Sequence, residues 1–213
     1  MKAFIFDLDG VIVDTAKYHF IAWKRIGEKV GFTLTHEQNE SLKGVSRVES
    51  LDRILSWAKV TLSQEEKDLF LLDKNEDYLA QINDMGKEEI LPGVLTLLQY
   101  AKDNKIPVAL GSASKNATPI LQKLGITTYF DALVDGNHVS KSKPDPEVFL
   151  KGAALLEQDP KNCIVFEDAA AGIQAAKSAG MITIGMGGAE EVQTADHCFD
   201  TMEEITHEFI STL

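Results

Sequence analysis

The stretch AFIFDLDG, residues 3–10, decides how the rest of the chain is read. Four apolar residues have the length and character of a strand buried on both faces. They run directly into two carboxylates, Asp7 and Asp9, which stand two apart ahead of Gly10. Like charges at the end of a buried strand are costly unless a cation and protons manage them, or unless the strand opens into a solvated turn. In open α/β sheets ligands bind beyond the carboxyl ends of the strands. What the chain places after its other strands therefore decides between a site and a turn.

Short apolar runs recur at AFIF (3–6), VAL (108–110), ALV (132–134), CIVF (163–166) and ITIGM (182–186). Helical patterns lie between them at TPILQKLG (118–125), DPEVFLKGAALLE (145–157) and AAAGIQAAKSAG (169–180). This alternation predicts an α/β fold, a doubly wound parallel sheet with helices on both faces. From Ala16 to Ile82 the alternation stops and the pattern is helical throughout. Capping-box spacing at Thr35–Gln38, Ser46–Glu49 and Ser63–Glu66 marks helix starts there. The expectation is an α/β core of residues 1–15 and 83–213, interrupted by an all-helical cap domain of residues 16–82.

A formal net charge of −12 argues against a nucleic-acid-binding surface, which rests on clustered Lys and Arg. It leaves room for an anionic small substrate in a local basic pocket. No apolar run reaches membrane-spanning length, and MKAFIFD is too short and too acidic for a signal peptide. Cys163 and Cys198 lie far apart without metal or redox spacing, so both are expected to be buried, reduced thiols. A cytoplasmic protein with no membrane partner is expected.

After the strands come Asp7 and Asp9, then Ser112 to Asn116, then SKSKPDP (140–146), then Glu167 and Asp168. Convergence of acids, lysines and hydroxyls at one sheet edge suits phosphoryl transfer. Carboxylate oxygens form a hard-ligand site of the kind that takes Mg²⁺. One carboxylate can attack phosphorus and a second can carry the proton, while Lys and N–H groups stabilise the equatorial oxygens. Several residues also have plainer readings. Thr15 and Ser46 stand where helix caps belong, and His19 shares a helical stripe with Trp23, Ile26 and Val30 as a core-edge residue would. Arg47 could be an ordinary surface arginine, and Lys74 part of a solvated face, DKNED. Lys115 and Asn116 could simply open a helix, and Lys141 competes with Lys143 in SKSK.

The ordered set DLDGVIVDT, GSAS, KPDP and EDAAAG resembles the four motifs of the haloacid-dehalogenase superfamily, spanning the core from end to end. The resemblance implies a Rossmann-like core, with Asp7 as nucleophile and Asp9 as general acid and base. Ser112 and Ala113 would bind the phosphate and Lys143 would neutralise it. Mg²⁺ would be held by Asp7, the Asp9 carbonyl, Glu167 and Asp168. The stretches AKYHFIAWK (16–24), NESLKGVSR (39–47), DKNEDY (73–78) and SASKN (112–116) are similar to the phosphosugar-mutase branch of that superfamily. That likeness implies a substrate of β-glucose 1-phosphate, converted through β-glucose 1,6-bisphosphate to glucose 6-phosphate by a monomer. It assigns a second phosphate site to Arg47, Ser114, Lys115 and Asn116. Thr15, His19, Trp23, Leu42, Gly44, Val45, Ser46 and Lys74 would meet the sugar from the cap. The alternative within the same fold is a phosphatase acting on a small phosphate ester. Gly111 and Ala169 depart from the usual pattern, which favours alanine and serine there, and DGNHV (135–139) has no assigned role.

Overall fold

The computed structural model describes residues 2–188 and 190–213, apart from the side chains of Asp84 and Glu191. The opening apolar run forms β1 (Ala3–Phe6), and all four of its residues are buried. The helical stretch that follows contains α1 (Ala16–Lys29), α2 (His36–Glu40), α3 (Arg47–Ala58) and α4 (Gln64–Gln81). These close on an apolar centre of their own, built around Trp23, Ile26, Leu51 and Ile54. Thr35–Gln38 and Ser63–Glu66 form reciprocal capping boxes, as their spacing predicts. Ser46 accepts the Glu49 N–H at 3.2 Å, but the Glu49 carboxylate pairs with Arg53 instead of returning to the cap. Each such cap contributes about 1 kcal/mol to its helix.

Both ends of this helical stretch meet at one seam. Val13 bridges Ile90, and the Leu91 N–H donates to the Ile12 carbonyl at 3.0 Å. The Glu89 carboxylate takes Lys17 Nζ and the Tyr18 hydroxyl, each at 2.8 Å. Beyond the seam follow α5 (Val94–Asp103), β2 (Val108–Gly111), α6 (Ala117–Leu124), β3 (Ala132–Val134) and α7 (Glu147–Leu155). The chain then continues through β4 (Cys163–Glu167), α8 (Ala170–Ser178), β5 (Ile182–Met186), β6 (His197–Phe199) and α9 (His207–Thr212).

The six strands are parallel throughout, in the order β3-β2-β1-β4-β5-β6. Alternation along β1 divides the core between the two faces of the sheet. Phe4 and Phe6 pack with apolar residues of α5, α6 and α9, whereas Ala3 and Ile5 pack with α7 and α8. Phe6 stands opposite Leu110 on one side and Phe166 on the other, so three strands end level. The order reverses on either side of β1, and that reversal opens a crevice at the carboxyl ends. Just beneath the crevice the Phe6 and Phe166 rings stack with centroids 4.4 Å apart. Such a pair contributes about 0.5–1.5 kcal/mol beyond its buried area and ties together the two strand ends that carry the acids.

β6 is not foreseen by the apolar runs. Its residues, HCF, are half-buried at the sheet edge and too few to give a periodic signal. It also corrects the expectation for Cys198, which is half-buried where Cys163 is fully buried. Among the described residues no helix is long and apolar enough to cross a membrane.

Candidate active site

Asp7 leaves β1 with its N–H donating to the Phe166 carbonyl at 3.0 Å, so the backbone register places it beside the end of β4. There Asp7, Glu167 and Asp168 bring one carboxylate oxygen each within 4.8 Å of the others. Lys143 Nζ lies 2.6 Å from Asp7 Oδ1 and 2.6 Å from Glu167 Oε1, with its side chain fully buried. Of the two lysines in SKSK it is Lys143 that reaches the acids; Lys141 is exposed and, among the described residues, its ammonium pairs with Asp145 at 3.4 Å. The other Glu167 oxygen accepts the Ala169 N–H at 2.8 Å, which holds the carboxylate in place.

Lys143 bonds to two of three crowded acids, and the electrostatics show the crowding. Burial pushes Asp7 up to about 7; Lys143 pulls it back, while Glu167 and Asp9 add repulsion. Burial also holds Asp168 well above the usual carboxylate range, with Glu167 and Asp7 contributing and Lys43 opposing. Burial works against the Lys143 charge, but Asp7 and Glu167 overcome it and keep the ammonium above the ordinary lysine range. Clustered carboxylates with too little positive charge among them fit a hard divalent cation. Gly10 makes the approach of Asp168 possible: it has φ +79°, and a Cβ there would overlap the Asp168 carboxylate.

Asp9 does not join the carboxylate cluster. Its Oδ1 accepts a short hydrogen bond from Thr15 Oγ1, and His19 Nε2 stands 3.7 Å away. Thr15 occupies the N-cap position of α1 but makes no side-chain cap bond, because its hydroxyl is committed to Asp9. Burial would raise Asp9; the His19 ring, the Thr15 hydroxyl and Lys74 together hold it below the usual range. Lys74 is buried, which overturns its solvated-face reading. Its Nζ lies 3.1 Å from His19 Nδ1 and over the rings of Trp23 and Tyr78, at 4.8 and 4.6 Å. An ammonium donating to Nδ1 selects the tautomer with hydrogen on Nε2, the nitrogen that faces Asp9. Burial and the nearby Arg47 bring Lys74 down to about 7, with Asp9 opposing. His19 Nε2 is buried with no hydrogen-bond partner among the described residues, so the core-edge reading gives way to a polar position facing the site.

A cavity of about 510 Å³ joins these groups to a second set of donors. Lys143, Ser112 and Asp9 line it, as do Arg47, Ser114, Lys115 and Asn116. Asp7 sits behind Lys143. Ser112 Oγ accepts the Ser114 N–H at 3.0 Å and Ser114 Oγ accepts the Asn116 N–H at 3.2 Å, giving the loop its shape. Asn116 caps nothing with its side chain and instead donates through Nδ2 to Asn75 Oδ1 at 2.9 Å. Arg47 makes no ion pair among the described residues, and burial pulls its guanidinium below the usual arginine range. A half-buried arginine facing a cavity without an acid beside it is suited to an anionic ligand.

Trp23, Leu42, Ser46, Lys74 and Ala113 line the same cavity, and Thr15 and Gly44 line a smaller recess of about 70 Å³ beside Asp9. Val45 lines neither: the chain turns through Gly44, and Val45 is half-buried elsewhere. Sequence reasoning passes over Lys43, whose Nζ lies 2.7 Å from Glu40 and 3.6 Å from Asp168. Its only sequence signal is its place inside NESLKGVSR.

The description of haloacid dehalogenase-like hydrolases matches residues 1–180, and the chain belongs to that family. Within it, the β-phosphoglucomutase of Bacillus subtilis is 44% identical over 99% of this chain and 94% of its own length. A crystal structure of β-phosphoglucomutase from Clostridium difficile superposes with a TM-score of 0.95 at 45% identity, covering 100% of this chain and 96% of that one. A phosphorylated carbohydrates phosphatase of Thermotoga maritima is 34% identical over 85% of this chain and 82% of its own.

Proposed function

We propose that this chain is a β-phosphoglucomutase, interconverting β-glucose 1-phosphate and glucose 6-phosphate through an aspartyl-phosphate and β-glucose 1,6-bisphosphate. The observation that carries this reading is the likeness to the B. subtilis β-phosphoglucomutase along 99% of the chain. The cavity agrees with it, since a bisphosphate needs donors for two phosphates, and Lys143, Ser112, Arg47, Ser114, Lys115 and Asn116 line it together. Residues 1–15 and 83–213 serve as the core and 16–82 as the cap. Every group the cycle needs comes from one chain, which suits a monomer, and a phosphosugar substrate suits the cytoplasm.

The acids divide the work by their environments. Asp7, aligned by Lys143, attacks phosphorus and carries the phosphoryl group. Asp9 begins as a carboxylate, because its neighbours hold its pKa low, and so can take the proton from the sugar 6-hydroxyl as the phosphoryl group leaves Asp7. When Asp7 takes the 1-phosphate back, Asp9 gives that proton to the departing C1 oxygen of the sugar, leaving glucose 6-phosphate. Mg²⁺, held by Asp7, the Asp9 carbonyl, Glu167 and Asp168, would keep Asp7 ionised and offset the charge of the phosphoryl oxygens. Arg47, Ser114, Lys115 and Asn116 hold the phosphate that is not in transfer, the arginine fork giving it orientation. His19 and Lys74 face the sugar between the two phosphates, and the cap limits the access of water, which competes for the phosphoaspartate.

Supplying β-glucose 1-phosphate, Mg²⁺ and a trace of β-glucose 1,6-bisphosphate is expected to yield glucose 6-phosphate; its absence overturns the mutase reading. Chelation of divalent cations is expected to stop turnover and added Mg²⁺ to restore it. The 34% identity to the T. maritima phosphatase supports a second reading, hydrolysis of a small phosphate ester. Arg47→Ala separates the two. A mutase is expected to lose about 10- to 100-fold in kcat/KM, whereas a phosphatase without a second phosphate site changes little.

A further inference from the structure

The stretch DGNHV follows β3 and contains none of the groups placed in the chemistry above, yet it lies directly against the Ser112–Asn116 loop. The Gly136 N–H donates to the Ser114 carbonyl at 3.2 Å, and Asn137 Nδ2 donates to the Lys115 carbonyl at 3.0 Å. Gly136 also packs so close to the Ala113 carbonyl that a Cβ would overlap the oxygen, with Lys115 Cγ only 3.0 Å from the same point. Behind this contact Asp135 is buried at 3% exposure, and its carboxylate serves the turn itself. Oδ1 accepts the Asn137 N–H at 2.8 Å and lies 2.8 Å from His138 Nδ1, while Oδ2 is 3.3 Å from Asn137 Nδ2.

Two consecutive carbonyls, those of Ser114 and Lys115, are thus held towards residues 136 and 137. A trans peptide points its N–H opposite its C=O, so fixing the Ser114 carbonyl turns the Lys115 N–H away from the turn. The same restraint limits how far Ser114, Lys115 and Asn116 can drift from the cavity they line.

We infer that Gly136 and Asn137 are positioning residues for the second phosphate site, with Asp135 shaping the turn that presents them. They touch no reacting atom; they set the geometry of the loop that retains the phosphate not in transfer. The inference rests on the mutase reading and deepens it, making residues 136–137 a determinant of affinity for substrates that carry that phosphate.

The test compares Gly136→Ala and Asn137→Ala with the wild-type protein in two reactions, after thermal melting has shown that each variant folds. Mutase turnover of β-glucose 1-phosphate reads the second site. Phosphorylation of the protein by acetyl phosphate, which has no second phosphate, reads only the first. Each variant is expected to raise KM for β-glucose 1-phosphate by about fivefold or more, with kcat within about twofold and the acetyl phosphate rate within about twofold. Unchanged KM in both variants overturns the assignment, as does a loss shared equally by the two reactions, which marks a merely structural role. Should Gly136→Ala fail to fold, Asn137→Ala carries the test alone. A wild-type protein that accepts phosphate from acetyl phosphate but shows no mutase turnover removes the mutase reading itself, and this inference with it.

Discussion

Asp7→Asn is expected to abolish mutase turnover, lowering kcat by about 10⁴-fold or more, because an amide cannot form the covalent phosphoenzyme. Intact-mass analysis after exposure to acetyl phosphate should show the phosphorylated form in the wild-type protein and none in the variant. The substitution is nearly isosteric and removes one of three crowded carboxylates, so the fold should not suffer. With divalent cations chelated, the variant is expected to melt no lower than the wild-type protein, since burial disfavours the Asp7 charge and Lys143 keeps its bond to Glu167. Its binding of β-glucose 1,6-bisphosphate, measured by calorimetry, should persist through the second phosphate site. Turnover above about 1% of wild type would mean that another residue carries the phosphoryl group.

Lys143→Met is expected to damage both stability and activity, for one electrostatic reason. The ammonium is buried between Asp7 and Glu167 at 2.6 Å from each, and among the described residues no other cation bonds to both. Methionine keeps most of the volume but leaves two buried carboxylates without their partner. Removing one member of a buried ion pair costs about 3–5 kcal/mol. For a chain of this size that is a fall of about 6–20 °C in Tm, measured in the presence of a chelator. Mg²⁺ should restore part of the loss in the variant and far less in the wild-type protein, because the added cation takes over part of the missing charge. A variant that melts with the wild-type protein under chelation would refute the neutralising role of Lys143. Phosphoenzyme formation should fall by about 10²–10³-fold as well, since in the proposed mechanism the same ammonium aligns Asp7 and meets the incoming phosphate.

The parts legible in the sequence are those written in local pattern. Five strands are announced by apolar runs, and Asp7, Glu167 and Lys143 are each marked by their place after or between them. The capping boxes at Thr35 and Ser63 form because a cap is settled within four residues. What local pattern cannot carry is contact between distant segments. Lys74 looks solvated in DKNED, and only the packing of α4 on α1 brings it against His19 and Trp23, with Tyr78 of its own helix beside it. Thr15 occupies a cap position by spacing, yet its hydroxyl is drawn to Asp9 once the strand end folds over. DGNHV carries no motif, because its partners are the backbone carbonyls of a loop more than twenty residues earlier, and a carbonyl has no sequence signature. β6 fails as a prediction for a different reason, since an edge strand of three half-buried residues needs little apolar content.

The seam at Val13 and Ile90 bears on how such a chain can change over generations. Because the core fixes the two ends of the helical stretch side by side, the entropy of closing that stretch rises only with the logarithm of its length. Changes of length within residues 16–82 therefore leave the parallel sheet almost undisturbed. Exchanging the stretch, by contrast, alters the setting of the acids, since Lys43 stands 3.6 Å from Asp168 and His19 3.7 Å from Asp9. Under the mutase reading chemistry and substrate choice are then only partly separable. The sheet edge brings the acids and also Ser114, Lys115 and Asn116, while the stretch hung from the seam brings Arg47, His19 and Lys74 to the same cavity.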